Sequence, residues 1–246
     1  MRLTEHVSLV GSGTNGMYLT DAYDCNVYLI DGGDELAIID AGSGMGVDQI
    51  LGRVEQLGYR KEQIASIILT HAHADHAGGA KKMAELTGAK VIAPAIAADY
   101  IERGDEAAIQ LAAAKRAGIY PEDYTFTACP ISTIVKEGDQ IRAGRHVLEV
   151  IESPGHCAGH ACYVMRADDQ VYLFAGDVVF YGGRILVQYI DDCNVKQYGD
   201  SLMKLKNLQV DVLLPGHELV VLKNGQRHID LAVQTLSTLG MPRSLF

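Results

Sequence analysis

A mixed α/β fold with two β-sheets is what the sequence predicts, on three observations. Short apolar, β-branched runs recur along its 246 residues. Stretches with helical spacing separate many of them. The order passes from hairpin-like strands to strand–helix alternation, then back to strands and to alternation again. Residues 7–10, 26–30 and 36–39 are the first expected strands, and Asp31-Gly32-Gly33-Asp34 has the composition of a turn between the second and third. Residues 47–57 have helical spacing and stop at Gly58. A strand at 67–69, a helix at 79–87 stopped by Gly88, a strand at 90–93 and one long helix at 96–117 stopped by Gly118 follow. Strands are expected at 147–151, 161–165 and 171–174, then a helix at 195–208, a strand at 212–214 and a last helix at 227–239.

Composition narrows the classes. With 21 Lys+Arg against 31 Asp+Glu the formal charge is -10, the wrong sign for coating a phosphate backbone or an anionic bilayer. Nucleic acid and membrane are therefore not expected partners. No apolar leader opens the chain and no run of 18 apolar residues occurs, so a cytoplasmic location is expected. The five cysteines are odd in number and form no C-x-x-C pair, which argues against a disulfide framework. No linker or repeat divides the chain, and one domain over 1–246 is expected, with a helical insertion at about 95–124. That Ala-rich, charged insertion suits a packed helix pair or a lid over a site.

The chemistry concentrates in Thr70-His71-Ala72-His73-Ala74-Asp75-His76-Ala77-Gly78-Gly79, which follows the strand at 67–69. Nine histidines in 246 residues would give H-x-H-x-D-H by chance in about one chain per thousand. In extended backbone, residues two apart project to one side, so His71 and His73 can grip one ion. A turn into a helix then swings Asp75 and His76 toward a second. Gly78 and Gly79 are expected where that backbone turns tightly. Three further candidates each end an expected strand and follow a glycine: His156, Asp177 and His217. Imidazoles and carboxylates without a thiolate set suit Zn²⁺ in an open site.

These motifs resemble those of the metallo-β-lactamase superfamily, from Asp40-Ala41-Gly42, similar to the family's early Asp-x-Gly, through His217. The resemblance implies a four-layer αβ/βα sandwich of two mixed β-sheets with a dinuclear metal centre at one edge. It implies that His71, His73 and His156 hold the first metal, that Asp75, His76 and His217 hold the second, and that Asp177 bridges them. Asp40 would stand behind the ligands and steady the histidine loop. Two Zn²⁺ are the implied cofactors, with iron or manganese as substitutes. Classical zinc β-lactamases use a cysteine where Asp177 stands, the diiron flavoproteins have Glu at the place of His73, and the nuclease branches carry long extra domains or a basic exosite, so the resemblance points to the compact hydrolases, including glyoxalase II-like thioesterases and acyl-homoserine-lactone lactonases. Gly176-Asp177-Val178-Val179-Phe180 resembles the glyoxalase II pattern, whereas lactonases carry a catalytic Tyr in the last place. Here Tyr181 lies one position later. The family's larger helical glutathione-binding extension is not expected, since one expected helix follows His217.

The function so implied is a dinuclear zinc hydrolase that cleaves an ester, thioester or lactone of a small acyl substrate with metal-bound hydroxide, Asp75 orienting the nucleophile and shuttling a proton. A redox alternative is a mononuclear iron enzyme similar to the family's persulfide dioxygenases. Arg184, by its planar fork, and Tyr181 are candidate substrate contacts, with a surface ion pair as the competing role of Arg184. His6, His146, His160 and His228 are read as structural or solvent-facing, and Cys157, beside His156, as a small buried thiol.

Overall fold

Apolar runs buried on both faces pair into two mixed sheets in the computed structural model, which describes residues 1–238 and 240–245. The first sheet opens with β1 (Val7–Gly11), β2 (Val27–Asp31) and β3 (Leu36–Ile39), joined antiparallel; the Gly33 N–H donates to Asp31 Oδ1 in the turn between the last two. Helix α1 (Val47–Gln56) then carries the chain across to β4 (Ile64–Ile68), which lies parallel to β3. A short turn of helix, α2 (Ala74–Ala77), and α3 (Ala80–Thr87) precede β5 (Lys90–Pro94). Helices α4 (Ala95–Arg103) and α5 (Leu111–Arg116) precede β6 (Thr133–Val135), which completes a six-stranded sheet in the order β1-β2-β3-β4-β5-β6.

The second sheet comprises β7 (Gln140–Ala143), β8 (His146–Glu152), β9 (Ala161–Ala167) and β10 (Gln170–Gly176), all antiparallel. After α6 (Val195–Leu205), β11 (Val212–Pro215) joins β10 in parallel, giving the order β11-β10-β9-β8-β7, and α7 (Gln226–Ser237) follows.

Alternation along the strands builds the layers. On β2, Val27 and Leu29 face a cluster shared with α1, α3 and α4, while Tyr28 and Ile30 face the other sheet. On β10, Tyr172 and Phe174 join that inter-sheet core, and Leu173 and Ala175 meet α6 and α7. Three apolar interiors thus stack between helices, sheet, sheet and helices, the expected four-layer αβ/βα sandwich.

The long helix expected at 96–117 is two helices. Gly104 at φ 60° ends α4 in the left-handed region, and Gln110 at φ 56° starts α5. An Ala-rich pattern carries no mark of such a break except Gly104 itself. The strands β6 and β7 carry no sequence signal of their own, because both are short edge strands, β6 only three residues long with Ile134 exposed and β7 carrying the exposed polar residues Gln140 and Arg142. Leu239, where the last expected helix ends, lies outside the described residues. Among the described residues no helix is long and apolar enough to cross a membrane, and all five cysteines are free.

Candidate metal centre

Carboxyl ends of strands from both sheets meet at one edge and bring the motif residues together. Asp40 follows β3, His71 to His76 follow β4, His156 follows β8, Asp177 follows β10 and His217 follows β11. All but Asp75 are buried. Gly78 and Gly79 have ordinary negative φ, so tight turning is not their role. A Cβ on Gly79 would overlap the Ala41 carbonyl and one on Gly78 the Ser43 carbonyl, so the pair lets the loop after β3 lie against the histidine loop. Gly216 serves the site directly, since its Cβ would overlap Asp177 Oδ1 and His76 Cε1.

Neighbouring groups fix the histidine tautomers. The Asp40 carboxylate can only accept, and it takes the Thr70 N–H at 2.8 Å, the Thr70 O–H at 2.9 Å and His76 Nδ1–H at 2.8 Å. The Thr70 hydroxyl, having donated to Asp40, accepts from His71 Nδ1–H at 3.0 Å. His156 Nδ1–H donates to the Leu186 carbonyl at 3.0 Å. Three imidazoles are left with a bare Nε2 facing the centre, the form that ligates a metal. His71 Nε2 and Asp177 Oδ1 are buried with no hydrogen-bond partner among the described residues.

Two of the groups of donors that close up at this edge contain the motif residues. His71, His73 and His156, with Cys157 beside them, present one ligand atom each within 4.8 Å of one another; Asp75, His76 and His217 do the same, and His71, His76 and Asp177 form a group that links the two. His73 Nδ1 and His156 Nε2 lie 3.0 Å apart. In the other set the separations are 3.1 Å for His217 with Asp75, 3.4 Å for His217 with His76 and 3.6 Å for His76 with Asp75. Ligand atoms about 2.0–2.1 Å from one tetrahedral ion stand about 3.3 Å apart, so both sets fit such an ion. Asp177 lies between them: its Oδ2 is 3.5 Å from His156 Nε2 and 3.4 Å from His217 Nε2, and its Oδ1 is 3.5 Å from His76 Nε2.

Electrostatics agree with this partition. Burial pushes His71 well below the ordinary imidazole range, lowers His156 and takes His73 to about 3, so these rings are neutral donors. Burial also opposes charge on His217, but Asp177 and Asp75 outweigh it and raise the group to about 9. Asp75 and Asp177, despite burial, are held well below the usual carboxylate range by His76 and His217. The second set is a locus that favours positive charge.

Several supporting residues have no motif to mark them. The Tyr120 hydroxyl donates to Asp75 Oδ1 at 2.8 Å and accepts the Asp75 N–H at 3.0 Å, which leaves Oδ2 as the atom turned to His217. Tyr120 belongs to the 95–124 segment, so the expected insertion is a helix pair whose far end grips the centre. His160 stacks on His71 and accepts the Asp177 N–H at 3.1 Å, behind the ligands rather than at the surface. His6, expected in a polar setting, is buried against Asp168 at 2.6 Å. The Cys157 thiol is buried beside His156 and pushed well up by burial.

Arg184 and Tyr181 are not brought to the site. The Arg184 guanidinium is committed to Glu218, Tyr181 packs on His228 with ring centroids 4.8 Å apart, and neither lines the cleft over the centre. This placement corrects the expectation that they meet substrate. Arg184→Ala should leave KM unchanged within about twofold for anionic and neutral acyl substrates alike and cost at most about 1 kcal/mol of stability. Steady-state kinetics and thermal unfolding check this.

The sequence model of the metallo-beta-lactamase superfamily matches residues 20–217. The chain belongs to that superfamily. A hydroxyacylglutathione hydrolase of Maricaulis maris is 35% identical over 162 residues, 66% of this chain and 49% of that protein. An atrochrysone carboxyl ACP thioesterase of Aspergillus fumigatus is 24% identical over 205 residues, 80% of this chain and 51% of that protein. The chain thus spans about half the length of these relatives. Among solved structures, a metallo-beta-lactamase of Cronobacter sakazakii with a HARLDQ motif superimposes with a TM-score of 0.75 at 22% identity, covering 97% of this chain and 96% of that one. A subclass B3 metallo-beta-lactamase of Bradyrhizobium japonicum gives 0.69 at 22% identity, with 93% and 94% covered. At that identity the likeness is one of fold.

Proposed function

We propose that the chain is a metal-dependent hydrolase with two metal ions, most simply zinc, acting on an ester, thioester or lactone of a small acyl substrate. The observation that carries this reading is the placement of six donors in two groups of three with Asp177 between them. The named relatives include two kinds of thioester-cleaving enzyme, which supports the acyl class.

His71, His73 and His156 would hold one ion, Asp75, His76 and His217 the other, and Asp177 would touch both. When bound, such ions supply Lewis acidity, which polarises an acyl carbonyl and brings the pKa of water to about 7. The chain's own residues do the rest. Asp40, Thr70 and the Leu186 carbonyl hold three imidazoles in the ligating tautomer. Tyr120 fixes Asp75 so that Oδ2 faces the reaction space, where it takes a proton from the attacking water and delivers it to the leaving oxygen or sulfur. His76 and His217 keep that carboxylate ionised, the state in which it can hold an ion and accept the proton that it then passes on. A mononuclear iron dioxygenase is not favoured, because it would leave the set of Asp75, His76 and His217 without an ion.

Tyr120→Phe removes one hydrogen bond to Asp75 and is expected to weaken binding of the second ion by about 10–100-fold while the first is retained. Metal titration of the stripped protein reads this directly. For the activity itself, a panel of thioesters, lactones and esters should include at least one substrate whose hydrolysis chelation abolishes and zinc restores. Failure of the metal-replete protein on every acyl class would overturn the proposal.

A further inference from the structure

A cleft of about 720 Å³ opens over the centre, with His73, Asp75, Asp177 and His217 at its floor. One wall comes from the 95–124 segment, through Ile109, Leu111, Ala114, Ile119 and Tyr120. Leu186, Val187 and Ile190 line it as well, and so does Tyr23, stacked on Tyr120 with ring centroids 6.0 Å apart. Among the described residues no lysine or arginine lines it, and beyond the proposed metal ligands Asp24 is its one carboxylic side chain. Gln188 also lines the cleft, and its Oε1 is buried with no donor among the described residues.

We infer that the substrate is neutral, with an apolar acyl chain lying between the α5 wall and the 186–190 loop and an uncharged N–H or O–H group for Gln188. This inference rests on the hydrolase reading above and narrows it. Apolar walls reward burial of methylenes. A glutathione thioester brings two carboxylates, and away from the proposed metal ligands the lining offers neither a lysine nor an arginine to pair with either of them. An uncharged amide or hydroxyl meets no such penalty and satisfies a buried acceptor.

The test uses the zinc-loaded full chain and N-acetylcysteamine thioesters, which are neutral and carry an amide N–H, with acyl chains lengthened stepwise from acetyl. The expected kcat/KM rises roughly threefold per added methylene until the cleft is filled. The glutathione thioester of the same acyl group should be at least about tenfold poorer. Ala117→Lys, at an exposed cleft-lining position, should narrow that gap by favouring the anionic substrate. A readout free of turnover is thermal unfolding of the metal-stripped protein, in which decanol should raise Tm and glutathione should not. A flat chain-length response, or a preference for the glutathione thioester, overturns this inference and leaves the hydrolase reading standing. No hydrolysis of any acyl class, with decanol still raising Tm, overturns the hydrolase reading and leaves an apolar binding cleft.

Discussion

Asp75→Asn should lower kcat by about 100-fold or more and cost the protein one of the two proposed metal ions. Asp75 is tied at Oδ1 by Tyr120, and its Oδ2 lies 3.1 Å from His217 Nε2. The amide keeps the shape of the side chain but removes the charge that holds a cation in the second set. It also removes the oxygen that accepts a proton. Because Asn can still be held by the Tyr120 hydroxyl, the fold should be unaffected, and circular dichroism with metal analysis separates loss of function from loss of structure. Near-normal turnover with full metal content would remove Asp75 from the proposed mechanism.

Asp40→Ala should be the most destabilising single change near the site, by about 3–5 kcal/mol, and should weaken metal binding by about 10–100-fold. Asp40 is 1% exposed and accepts from the Thr70 N–H, the Thr70 O–H and His76 Nδ1–H. Its loss strands three donors in the interior, each costing about 1–3 kcal/mol unless water enters. The residue also sits at φ 60°, which Asp and Asn tolerate better than Ala. Asp40→Asn therefore separates the two costs: it keeps the backbone preference but offers one acceptor oxygen in place of two. Denaturant unfolding of both variants should rank Asp40→Asn between wild type and Asp40→Ala, and equal stability of all three would refute the network.

The residues that the sequence makes legible are those whose neighbours also constrain them. His71, His73, Asp75 and His76 share one loop, and the strand before them is apolar enough to place that loop at a sheet edge. His156, Asp177 and His217 are legible because each follows a strand and a glycine. Tyr120 is not legible, since it reaches Asp75 across 45 residues of sequence from an Ala-rich segment with no motif. His160 reads as structural or solvent-facing, and nothing local reveals that it accepts the Asp177 N–H. For Arg184 the sequence leaves a substrate contact and an ion pair both open, because its partner Glu218 lies 34 residues away, on the loop after β11. Among the elements, strands buried on both faces announce themselves by continuous apolar runs. Edge strands such as β6 and β7 do not, because one side of each meets solvent.

Elemental analysis of the chain purified without added metal, alongside His217→Ala, tests the two-ion centre most directly. Two ions per chain in the wild type and about one in the variant are the predicted result, since the set of His71, His73 and His156 stays whole while the other loses a member. One ion per chain in both proteins would contradict the account, for His217 would then stand outside the metal site.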